Sequence, residues 1–129
     1  NSMRTLHIAS RSQWEVALGQ LEAWFISNEI DAAIQNKLFI AFDEIVSNIF
    51  NHNSQEIPIE IKVNCEKNPT LISLKFTDNC KLFNPLNSVK KEPAAIGGWG
   101  LDIVIQLMDD IDYKVVDNKN CLIVKKQIL

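Results

Sequence analysis

Residues 58–65 alternate apolar and polar side chains, with Ile57, Ile59, Ile61 and Val63 falling on one face and Glu60, Lys62 and Asn64 on the other. A period of two marks a strand that is packed on one side and wet on the other. Asn68-Pro69 then marks a turn, after which Leu71, Ile72, Leu74 and Phe76 supply a second, more buried strand. The segment therefore predicts a hairpin of adjacent strands whose dry face needs a covering layer.

Helices on either side of this hairpin provide the cover. Residues 4–9 predict a short strand, and Ser10 or Ser12 then caps a helix through about Ile26, with Trp14, Ala17, Leu18, Leu21 and Trp24/Phe25 as its apolar stripe. Gly19 weakens that helix by about 1 kcal/mol relative to alanine without ending it. A second helix starts near Asp31 and runs through about His52, apolar on most faces in its first part. Residues 100–110 predict a third helix, with Leu101, Val104, Ile105, Leu107 and Met108 on its apolar side. Residues 111–116 and 121–128 predict another strand pair joined by a tight turn at Asp117-Asn118-Lys119-Asn120. Residues 78–98 carry Pro85, Pro93, Gly97 and Gly98 with no sustained period, and irregular stretches of that length are usually functional or mobile. The order of elements predicts an α+β fold, a two-layer α/β sandwich in which a mixed, mostly antiparallel sheet is covered by helices on one face.

The chain has 129 residues, which fits a single domain over 1–129, with Asn1-Ser2 ahead of Met3 read as a cloning remnant. Its 13 basic residues are outnumbered by 16 acidic ones, so binding to a nucleic-acid backbone, which needs an accumulated positive field, is disfavoured. There is no apolar run of the roughly 18–20 residues that a membrane span needs and no signal-peptide plan, and a cytoplasmic location is expected. Cys65, Cys80 and Cys121 are odd in number, far apart and without a C-x-x-C pair, which favours reduced packing residues over a disulfide framework or a zinc knuckle.

Three places carry candidate chemistry. Glu44, Asn48 and His52 lie at i, i+4 and i+8 of the second helix and project in one row, with Asn51 beside them. A carboxylate and a carboxamide one turn apart divide two jobs, proton acceptance and hard-oxygen ligation of Mg2+, although a plain solvated helix face has the same pattern. Asp78 ends a strand, where an ionised carboxylate accepts strong hydrogen bonds, for instance from the exocyclic amine of adenine; it equally starts an ordinary Asp-Asn turn. Gly97-Gly98-Trp99-Gly100-Leu101 precedes a helix, where glycine backbone and free amides admit phosphate or simply begin the helix. The glycines complete neither a Walker A loop nor a Rossmann fingerprint.

Together these segments resemble the GHKL (Bergerat-type) ATPase superfamily, and within it the anti-sigma factor serine kinases, over nearly the whole chain. Glu44-Ile-Val-Ser-Asn48-Ile-Phe-Asn-His52 resembles the N-box E-x-x-x-N-x-x-x-H, and Asp78 through Phe83-Asn84-Pro85 resembles D-x-G-x-x-F-D-P. Gly97 to Leu101, continuing to Leu107-Met108-Asp109 and Tyr113, is similar to the G-G-x-G-L helix entry and the L-M-D-x-x-x-Y that follows it; Asn120, Leu122 and Val124 fit the closing strand.

The resemblance implies a Bergerat ATP-binding fold with ATP and Mg2+ as cofactors. It makes Glu44 the general base, Asn48 the Mg2+ ligand, Asp78 the adenine reader, and Gly97, Gly98, Gly100 and Leu101 the phosphate loop and its helix entry. It also makes residues 86–96 a short lid carrying Lys90 and Lys91. His52 matches the box without an assigned role. The implied partners are a STAS-class anti-anti-sigma factor, phosphorylated on serine, and a sigma factor, with a homodimer expected from the family alone. Cys80 stands where the family has glycine, and a Cβ there costs about 1–2 kcal/mol if the backbone must take positive φ or pass close to the purine. Asn84 replaces the usual aspartate, losing a charge and keeping a turn-compatible shape. The competing readings are a non-catalytic protein-binding module with a degenerate nucleotide pocket, favoured by Cys80 and the short lid, and a detached histidine-kinase catalytic domain. The second is disfavoured because no helical dimerisation segment with a phosphoacceptor histidine precedes the region.

Overall fold

The computed structural model describes residues 2–53, 57–88 and 101–129. In chain order these form β1 (Ser2–Ile8), α1 (Arg11–Ser27), α2 (Ala32–Asn51), β2 (Ile61–Lys67), β3 (Leu71–Asp78), a 3-10 turn (Pro85–Ser88), α3 (Leu101–Leu107), β4 (Asp110–Val116) and β5 (Lys119–Gln127). The helices begin where capping chemistry places them. Ser10 accepts from the Gln13 amide to open α1, and Asp31 accepts from the Ala33 amide to open α2.

The five strands run in the order β1-β2-β3-β5-β4. All four pairings are antiparallel, which corrects the expectation of a mixed sheet. The reason lies in one insertion. β3 and β4 run in the same direction through the α3 crossover, but β5 turns back and takes the place between them. The turn that sends it back is Asp117-Asn118, with φ of 52° and 60°. Positive φ at both central residues is the geometry that matches hairpin twist.

Other boundaries also differ from the periodicity. β2 begins at Ile61 rather than at residue 58, because the Asn79 side chain takes the place of the ladder there. Its Oδ1 accepts from Glu60 N at 2.9 Å and its Nδ2 donates to Pro58 O at 2.9 Å. Ile59, Ile61 and Val63 are buried as the alternation required, whereas Ile57 is exposed. α3 ends at Leu107, short of residue 110, because Asp109 joins the sheet: its N–H donates to Lys125 O and its carboxylate accepts from Gln127 N. β5 starts at Lys119, two residues earlier than expected, and Asn120 thereby becomes a strand residue.

The core lies between the sheet and the helices. Leu6, Ile8, Val63, Leu74, Phe76 and Val124 supply its sheet side, and Leu21, Phe25, Leu38, Phe42 and Val46 its helical side. Phe42 of α2 meets Phe76 of β3 with ring centroids 5.7 Å apart. Burying each such side chain contributes about 1.5–3 kcal/mol. This contact packs the middle of α2 on β3. Cys65, Cys80 and Cys121 are all free and buried, consistent with packing roles. Among the described residues no helix is long and apolar enough to cross a membrane.

Candidate functional site

The last inward-facing position of β3 is Asp78, paired in register with Asn120 of β5. The strand period that buries Ile72, Leu74 and Phe76 also buries this carboxylate, 7% exposed. A buried carboxylate needs hydrogen bonds. Oδ1 accepts two, from Cys80 N at 3.0 Å and from Asn120 Nδ2 at 2.9 Å. The Cys80 thiol also hydrogen-bonds this carboxylate, and among the described residues no N–H or O–H donates to Oδ2, which leaves it an acceptor for a ligand. Asp78 and Asn120 line a cavity whose other walls include Ile45, Asn48, Ile49, Phe83, Leu101 and Leu122.

Asn120 holds this end together. Besides Asp78, its Nδ2 donates to Lys81 O at 3.0 Å, with Cys80 O at 3.4 Å. Its Oδ1 accepts from Phe83 N at 2.9 Å and from the Tyr113 hydroxyl. Burial pushes the Tyr113 phenol up from its ordinary pKa; the Phe83 amide acts against this and the Asp78 charge adds to it, so the hydroxyl is a donor at neutral pH. Neither Asn120 nor Tyr113 stood out as a site residue from sequence. The resemblance placed Tyr113 after the third helix and Asn120 in the closing strand without giving either a role; the network that ties them to Asp78 is visible only in the fold.

The second wall is the C-terminal half of α2. Asn48 lines the same cavity as Asp78, half-buried, and its carboxamide makes no hydrogen bond among the described residues. Glu44, one turn earlier, is also half-buried without a described side-chain bond, but it lines a separate hollow with Arg11, Trp14, Leu18, Asp43 and Ser47. Asp43 accepts from Trp14 Nε1 at 3.1 Å, and Trp14 stacks on Phe50 at 6.1 Å, which fixes α1 beside this hollow. Asn51 is spent on Ser47 Oγ at 3.1 Å. His52 is exposed at the C-cap of α2, its amide donating to Asn48 O. The row read from sequence thus spans two hollows.

The connection after β3 is a built turn. Asn84 Oδ1 accepts from Leu86 N at 2.9 Å and opens the 3-10 turn, a role that a carboxamide fills as well as a carboxylate does. Leu101 opens α3 and is buried against the cavity. Gly97, Gly98, Gly100, Lys90 and Lys91, and with them most of the expected lid, lie outside the described residues.

Cys80 does not carry the backbone strain that its place in the motif implied. The described non-glycine residues at positive φ are Glu29, Asp117 and Asn118, and Cys80 is not among them. It lines a hollow with Asn79, Lys81 and Leu82 that is distinct from the Asp78 cavity. Burial pushes its thiol up to about 12, with the Asp78 charge and hydrogen bond adding to the effect. The Cys80 thiol is therefore neutral at physiological pH.

The chemistry of these walls fits an adenine nucleotide. Apolar residues from α2, α3 and β5 suit a flat base, and one carboxylate oxygen without an N–H or O–H donor suits its exocyclic amine. Among the described residues no three His, Cys, Asp or Glu side chains cluster to hold a metal. Mg2+ bound mainly through phosphates and water would ask for only one or two protein oxygens, and the Asn48 carboxamide, with no described hydrogen bond, is available as one.

The family model described as histidine kinase-like ATPase domain matches residues 9–126. No curated protein matches the chain.

Proposed function

The chain belongs to the histidine kinase-like ATPase domain family, and from that premise we propose that it uses ATP with Mg2+ to phosphorylate a serine of a STAS-class antagonist protein and binds a sigma factor in exchange. The observation that carries the nucleotide part is the buried Asp78 carboxylate beside an apolar cavity, with Oδ1 taking two N–H bonds and no N–H or O–H donated to Oδ2 among the described residues. The protein partners rest on the likeness of the N-box, the Asp78 segment and the helix-entry glycines to anti-sigma factor kinases.

In this reading each residue has one task. Asp78 Oδ2 accepts from the 6-amino group of the base, while Ile45, Ile49, Leu101 and Leu122 exclude water from its faces. The Asn48 carboxamide oxygen holds Mg2+. Glu44, one helical turn from Asn48, accepts the proton of the serine hydroxyl, reached from the hollow between α1 and α2. Bound Mg2+ supplies neutralisation of phosphate charge, the main requirement of phosphoryl transfer. Cys80 gives no support to a degenerate pocket, since it neither strains the backbone nor lines the Asp78 cavity.

Incubation with labelled Mg-ATP and candidate antagonist proteins tests the proposal. The expected outcome is phosphoserine on the antagonist, with Glu44→Ala abolishing transfer and retaining ATP binding, and Cys80→Gly leaving affinity within about twofold, well under the 1.4 kcal/mol of a tenfold change. Absence of ATP binding by the unaltered protein, regained on Cys80→Gly, would establish the non-catalytic module instead.

A further inference from the structure

The Asn120 carboxamide is fully used. Its two N–H bonds are directed at acceptors, Asp78 Oδ1 and Lys81 O, and its oxygen takes two donors, Phe83 N–H and the Tyr113 hydroxyl. A carboxamide has no further capacity of this kind. Turned over, it would set its oxygen against the Asp78 carboxylate and the Lys81 carbonyl, and its NH2 against the Phe83 amide. Only one orientation works. Asn120 therefore has nothing left with which to touch a ligand, and it acts through Asp78.

We infer that Asn120 and Tyr113 are positioning residues that set purine selectivity: Asn120 pins Asp78 Oδ1 and so presents Oδ2 alone to the base, while Tyr113 helps fix the direction of the Asn120 carboxamide. This rests on the nucleotide-binding reading above. A pinned carboxylate oxygen accepts from a 6-amino group, whereas a 6-oxo group brings a second acceptor against it. Pinning matters because a carboxylate free to rotate recruits water, loses alignment with the amine and relaxes its rejection of the carbonyl. The fastening also crosses the sheet. Tyr113 comes from β4 and Asn120 from β5, so two strands and the 80–83 turn are tied to the single acceptor on β3.

Removing Asn120 leaves Asp78 held by Cys80 alone, through its N–H and its thiol, and takes the Asn120 acceptor from the Phe83 amide. Removing the Tyr113 hydroxyl leaves Asn120 Oδ1 still held by Phe83 N–H, so its effect is smaller in the same direction.

The experiment compares ATP with inosine triphosphate, which has the same sugar and phosphates and a 6-oxo base. Affinities are measured by competition against a fluorescent nucleotide, and phosphoryl transfer is followed at saturating ATP. The unaltered protein is expected to prefer ATP; Asn120→Ala is expected to lower the preference about tenfold and Tyr113→Phe about threefold, the size of losing or loosening one bond to a charged group. The ATP KM rises in both variants, and kcat at saturation stays within about twofold in Tyr113→Phe, a change well below one such bond. A role in folding alone weakens both nucleotides together at constant preference, and that result, or unchanged preference in both variants, overturns the inference. If Asn120→Ala does not fold, Tyr113→Phe decides the matter alone. Equal affinity of the unaltered protein for the two nucleotides would instead remove Asp78 as the base reader, and no binding of either would remove the nucleotide reading and this inference with it.

Discussion

The two walls of the cavity are built in opposite ways. At the sheet end, Asp78 and Asn120 are each 7% exposed and bound into one network with Cys80, Lys81, Phe83 and Tyr113. At the helix end, Glu44 and Asn48 are half-buried, and neither side chain has a described hydrogen bond. A locked carboxylate suits a ligand group that is the same in every turnover, and rigid placement spares reorganisation on binding. Unspent carboxylate and carboxamide groups suit partners that arrive and leave with the reaction, such as phosphate-bound metal and a substrate hydroxyl. In the proposed reading, the base end is preorganised by the protein and the phosphate end is completed by what binds there.

The contrast is open to direct attack. The largest effect is expected from Asp78→Ala, which strands Cys80 N–H and takes one acceptor from Asn120 Nδ2 as well as deleting the acceptor offered to the base. ATP affinity should fall about a hundredfold and stability by about 1–3 kcal/mol, measured by titration calorimetry and denaturant unfolding. A loss of affinity with unchanged stability would show that the base end is not locked. Next comes Asn48→Ala, expected to reduce Mg2+-dependent ATP affinity about tenfold, one such ligand's share. Stability should stay within about 0.5 kcal/mol, because no described bond is lost. Unchanged metal dependence would remove Asn48 from its role, and marked unfolding would erase the difference between the two ends.

The smallest effect lies outside both walls, at the joint between α3 and β4. The Gln127 amide, followed by the Lys126 ammonium 3.4 Å away, holds the Asp109 carboxyl below its ordinary range. A carboxylate with a lowered folded pKa contributes stability that is full above its unfolded pKa and is lost as pH falls through the folded one. Asp109→Asn should therefore flatten the acid side of the stability curve slightly, without changing nucleotide affinity. A change in affinity would mean that the α3–β4 joint couples to the site.

Much of the frame was legible in local pattern. Ser10 and Asp31 open their helices as capping chemistry required, and the strand alternation at Ile59, Ile61 and Val63 marks a buried face. The N-box spacing put Glu44 and Asn48 one turn apart. Local pattern did not reveal that they line different hollows, because the division depends on where Trp14 of α1 packs. It also left open which φ the turn at Cys80 adopts, since a motif position shows only that glycine is usual; that φ is not positive.

By itself, the sequence determined the helices, their caps, the alternating faces and Asp78 as the polar residue that ends a buried strand, because each of these follows from neighbours within a few positions. Tertiary structure alone decided that Asp78 meets Asn120, 42 residues away, and that Tyr113 closes the network. That pairing depends on β5 entering between β3 and β4 in one register. A shift of one residue would turn Asn120 to the outer face and leave a buried carboxylate without its main partner.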